Sequence, residues 1–146
     1  MKKTALITSL LALGVSICLL PTAWAAAEQE GAKTKIPDTA AGILKEVKQH
    51  EEELSKTIAD KQLEGVHHHA FAISDLVNAL PDKSKDLDAE KLGKLKANAK
   101  FVAGLAKRLD ESGDSKDQAG TEANFKKLQG ILKSIEALYP PGMGNG

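Results

Sequence analysis

The stretch DAEKLGKLKANAKFVAGLAKRLDE, residues 88–111, decides the fold class. Within it Leu92, Leu95, Ala99, Val102, Ala106 and Leu109 recur at intervals of three and four residues, which lines one side of an α-helix with apolar groups and leaves lysines on the rest. Gly113 suits a C-terminal cap for this helix. The same period appears three more times. Ile43, Val47, Leu54 and Ile58 form one stripe, preceded by the capping residues Asp38 and Thr39 and followed by a polar turn at Asp60 to Gln62. Val66, Ala70, Ile73, Leu76, Val77 and Leu80 form another, beginning near Leu63 and stopped by Pro81, which cannot donate the next backbone bond. Phe125, Leu128, Ile131, Leu132, Ile135 and Leu138 form the last, from about Asp117 to Pro140-Pro141.

Single amphipathic helices of this length are marginal in water, so the four must bury their stripes against one another. Their short connections make sequential neighbours antiparallel. The expected fold is all-α: an antiparallel up-down-up-down four-helix bundle over residues 38–139, with a flexible leader at 26–37 and a flexible tail at 140–146. Gly42, Gly93, Gly104, Gly120 and Gly130 fall inside helical patterns, where each costs up to about 1 kcal/mol relative to alanine. They are expected to permit close helix approach or to be tolerated.

Residues 1–25 have the three parts of a cleavable signal peptide: Lys2 and Lys3, an apolar run from Ala5 to Leu20, and the small-x-small site Ala23-Trp24-Ala25. The chain is therefore expected in the periplasm or outside the cell, with no stable membrane insertion after cleavage. Cys18 falls inside the apolar run behind Ile17, which does not suit lipid attachment, and the mature chain holds no cysteine. That excludes disulfides, thiol catalysis and thiolate metal ligands, and leaves apolar packing to supply stability. Removal of Lys2 and Lys3 leaves 18 basic against 20 acidic side chains, well interleaved, so nucleic acid is not an expected partner. Three phenylalanines and one tyrosine imply a core of Leu, Ile, Val and Ala.

All four histidines belong to the first helical hairpin: His50, and His67, His68 and His69. At about 100° per residue His50 falls near the middle of the stripe of Val47, Leu54 and Ile58 and should point inward. His69 falls on the stripe of Val66, Ile73 and Leu76, His67 on its flank beside Phe71, and His68 mostly outward. In a hairpin folded near Lys61, His50 faces the level of Ile73, about one turn from His69, so the two imidazoles can approach. Neutral imidazole binds copper, zinc or nickel. His50 and His69, with His67 as a further member and Glu46, Glu53 or Asp75 completing the shell, are the candidate metal ligands. The plainer role for the same side chains is core packing, with His50 bonded to a neighbour and His-His-His forming a solvated helix start. Asn98 and Asn124 border the stripes of the last two helices and suit cross-bundle bonds that fix register. The carboxylates of Glu51-Glu52-Glu53 and Asp110-Glu111 suit solvated helix faces.

In export, length and helix number the mature chain resembles the periplasmic bundle family of the cytochromes c-prime and the soluble b-type cytochromes, which carry haem at one end of the bundle. The resemblance covers most of the mature chain and is architectural. The family's Cys-x-x-Cys-His attachment does not occur here. Met143 stands in a Gly-Pro tail and the fourth helix has no histidine, so no haem ligand carries over and no haem is expected. The block from His67 to Ile73 also resembles a segment of uncharacterised secreted bacterial proteins, which implies no activity. No nucleophile elbow, phosphate loop or paired Glu-x-x-His motif occurs, so enzymatic machinery is not expected. The two functions in view are a metal-binding bundle and a cofactor-free interaction protein, an accessory of an envelope complex.

Overall fold

The computed structural model describes residues 34–144; the expected signal peptide and the leader up to residue 33 lie outside the described residues. The described residues form four α-helices: α1, Ala40–Ala59; α2, Val66–Lys83, entered through a short 3-10 turn at Leu63–Gly65; α3, Ala89–Asp114; and α4, Gln118–Glu136. No strand occurs among the described residues. Three helices begin on a side chain that accepts an otherwise orphaned backbone N–H: Thr39 from Gly42 at 3.1 Å, Asp88 from Lys91 at 2.8 Å and Asp117 from Gly120 at 2.9 Å.

The ends of α1 and α3 are built alike. Beyond α1, Lys61 takes a left-handed conformation (φ 58°), with Gln62 N–H donating to Thr57 O at 2.9 Å and Lys61 N–H to Ile58 O at 3.1 Å. Beyond α3, Lys116 does the same (φ 56°), with Asp117 N–H bonded to Ser112 O at 2.8 Å and Lys116 N–H to Gly113 O at 2.9 Å. These are paired six-to-one and five-to-two bonds of a Schellman cap, with lysine where glycine is usual. The cap of α3 is thus Lys116 and not Gly113, which stays within the helix. Gly113 is needed there for room: a Cβ on it would stand 2.9 Å from Leu63 O and 3.4 Å from Val66 Cβ. Pro81 likewise does not stop α2, which runs on to Lys83. A proline one turn from the end forfeits only its own N–H, and Ser84 caps the turn by donating its hydroxyl to Leu80 O at 2.7 Å.

The expected stripes form one continuous core. Ile43, Leu54, Val66, Ile73, Leu76, Leu80, Leu95, Val102, Leu109 and Leu128 are wholly or almost wholly buried. Tyr139 joins them, its hydroxyl 2.7 Å from Ser84 Oγ. Helix α2 packs against both α1 and α3, and α3 against α4, while α1 and α4 meet along a thinner seam. Gln118 Nε2 to Ile58 O (2.9 Å) and Gln129 Nε2 to Glu51 Oε1 (3.0 Å) cross that seam. Gly93, Gly104 and Gly130 face open space, whereas a Cβ on Gly42 would press on Pro37 and one on Gly120 would collide with the Asp117 carboxylate. At the two boundaries Ile36 lies against the core, Thr34 Oγ1 donates to Asp75 Oδ2 at 3.3 Å, and Gly144 abuts Leu44. No helix among the described residues is long and apolar enough to cross a membrane.

Candidate metal centre

His50 sits midway along α1, and the core residues Val47 and Leu54 on either side turn that face toward α2. His69 sits in the first turn of α2, on the face that buries Val66 and Ile73. Because α2 starts beside the end of α1, His69 lies beyond His50, level with the residue one turn further along α1. That residue is Glu53.

The three side chains converge. His50 Nδ1 lies 3.1 Å from His69 Nδ1, His69 Nδ1 lies 3.3 Å from Glu53 Oε2, and His50 Nδ1 lies 3.7 Å from the same oxygen. The two rings are mostly covered, with side chains 19% and 17% exposed, while Glu53 is 55% exposed and brings its charge from the solvent side. A tetrahedral zinc-like ion with bonds of about 2.0–2.1 Å holds its ligand atoms about 3.3 Å apart, and the three separations bracket that edge. The circle through the three atoms has a radius of about 2.0 Å, so an ion at bonding distance from all three sits just above their plane.

Protonation favours the same use. Burial pushes the pKa of His69 below its ordinary value, and the neighbouring His68 and His50 act in the same direction against the opposing pull of Glu53. A neutral ring keeps the lone pair that a metal requires. At 3.1 Å one of the two Nδ1 atoms must carry a proton toward the other, and an ion would need both lone pairs. Solvent reaches the trio from two sides: His69 lines an open cleft with Thr57, Lys61 and Gln118, and His50 lines a second groove with Glu46, His68 and Ala72.

Of the residues picked from sequence, His50 and His69 come together and Glu53 completes the group. His67 does not join them. Its ring is 57% exposed, places Nδ1 2.8 Å from Asp110 Oδ1 on α3, and meets Phe71 edge-on. Glu46 borders the groove and Asp75 is engaged with Thr34. His68, expected to point outward, is exposed, but its ring centre lies 6.0 Å from that of His50 and 5.1 Å from that of His69. Away from the cluster, Asn124 donates across the α3–α4 contact to Arg108 O at 3.3 Å, while Asn98 forms no comparable bond among the described residues. No protein-family model, no curated protein and no solved structure matches this chain.

Proposed function

We propose that this chain is an exported helical-bundle protein that binds one divalent transition-metal ion, copper, zinc or nickel, through His50, His69 and Glu53, and that it acts as a binding protein and not as an enzyme. The observation that carries the reading is the triangle of two imidazole nitrogens and one carboxylate oxygen, drawn from two helices, with edges of 3.1, 3.3 and 3.7 Å. Two nitrogens and one oxygen are borderline donors suited to those ions. Titration of tag-free mature protein with Cu(II), Zn(II) and Ni(II), reading stoichiometry and melting temperature, is the test. One ion per chain and a stabilisation abolished by His50→Ala/His69→Ala are expected; equal binding by the double variant would sink the assignment.

Export and helix direction belong to the same proposal. Cleavage after Ala25 fits the leader's sequence, and sequencing the N-terminus of protein recovered from the periplasm or medium should begin at Ala26. The up-down-up-down order is supported by which ends meet: the start of α2 meets the end of α3 at Gly113, and the start of α4 meets the end of α1 through Gln118. A second reading is a cofactor-free accessory of an envelope complex, for which Phe101, 62% exposed on α3, offers an apolar contact. Capture of a defined envelope partner by metal-free protein, lost in Phe101→Ala, supports that reading.

A further inference from the structure

Three imidazoles, not two, crowd the junction of α1 and α2. The ring centres of His50 and His69 are 5.4 Å apart, those of His68 and His69 5.1 Å, and those of His50 and His68 6.0 Å. A tetrahedral ion bound to three imidazoles at about 2.0–2.1 Å puts each ring centre about 3.2 Å away and so spaces the centres about 5.2 Å apart. The observed triangle is close to that size. We propose that His68 is the fourth ligand, so that the site closes as three imidazoles and the Glu53 carboxylate around one four-coordinate ion. The proposal rests on the metal-binding reading and gives it a complete coordination shell.

Neighbouring residues on a helix point about 100° apart and do not ordinarily meet. Here the His68 and His69 ring centres nevertheless come within 5.1 Å of each other, and His50, arriving from α1, stands within reach of both. Turning the His68 ring about its Cβ–Cγ bond leaves its centre in place and re-aims its nitrogens. The ring planes stand at 74° between His50 and His68, 72° between His68 and His69 and 49° between His50 and His69, angles that three ligands on one centre can adopt. His68 is also the exposed member of the set and lines the groove that leads to His50. It is therefore placed to meet an incoming ion first and to cover it afterwards. A shell filled by four protein ligands is the pattern of a site that holds an ion, whereas a catalytic site keeps one position open for water or substrate. The class of ligand is a bare divalent ion with a preference for four-coordination.

Co(II) is the probe, since four-coordinate Co(II) absorbs strongly in the visible and six-coordinate Co(II) weakly. Tag-free mature protein, His68→Ala and His50→Ala/His69→Ala are titrated with Co(II) and then displaced with Zn(II). Expected are a strong four-coordinate spectrum in the parent, and in His68→Ala a weakened, shifted spectrum with Zn(II) affinity reduced by at least the roughly 100-fold that outer-shell changes can reach. Nitrogen-15 spectra of the zinc-loaded parent should contain three metal-shifted imidazoles. An unchanged spectrum and affinity in His68→Ala, with binding still lost in the double variant, overturns the role of His68 and leaves the three-residue site standing. Absence of binding by the parent overturns both.

Discussion

A proton and the proposed divalent ion would compete for the same lone pair on His69, and burial sets the terms of that competition. His69 has its pKa lowered by burial. The folded chain therefore takes up its proton less readily than the unfolded chain, whose value is near the ordinary 6.5. The contribution to stability is complete above about pH 6.5 and is lost as the pH falls through the lowered folded value. Denaturant midpoints measured from pH 7.5 to 5 should decline on the acid side, and His69→Gln should flatten that decline. Metal affinity should fall over the same range. At Glu53 the expected change is electrostatic: Glu53→Gln keeps the shape and removes the charge, so Zn(II) affinity by calorimetry should drop about tenfold or more, with the fold intact. Sequence alone reaches His50 and His69, because helical phase decides which way a side chain points. It does not single out Glu53 from Glu46 and Asp75, since that choice depends on how far α2 is displaced along α1. It places His67 beside Phe71 and His68 outward, as they are found, but it counts His67 as a further ligand and misses the approach of the His68 ring to those of His50 and His69. Phase around one helix says nothing of a ring arriving from another, and Asp110 draws His67 toward α3.

Helix ends carry the strain that the interiors avoid. Lys61 and Lys116 hold left-handed conformations that cost a side-chain-bearing residue roughly 1–2 kcal/mol. Glycine relieves this while adding freedom to the unfolded chain, so Lys61→Gly should stabilise by about 0.5–1 kcal/mol in a thermal melt. Gly113→Ala should act oppositely, losing about 1–3 kcal/mol, because the added methyl presses on Leu63 O and Val66. Gly104→Ala, with open space around it, should gain about 0.5–1 kcal/mol. Opposite signs for two glycines in one helix test the packing directly. The existence of the four helices was legible because each stripe repeats over several turns. Two ends were not: Pro81 and Gly113 read as stops, but proline's penalty falls on one bond, and glycine serves close approach as well as caps.

The whole molecule is held by a single aliphatic core to which every helix contributes. Leu54→Ala, at a position with no exposure, should lower the unfolding free energy by about 2–5 kcal/mol in a denaturant titration. Helix α1 is an outer wall of this assembly, braced well by α2 and only along a thin seam by α4. His50 and Glu53 ride on that wall, and His69 stands on the brace. An ion between them would act as a clasp on a hinged panel, resisting its outward swing without touching the far hairpin. Amide exchange in α1 should then slow on metal loading far more than in α3 or α4, and a chelator should unfasten that one panel before the rest of the molecule loosens.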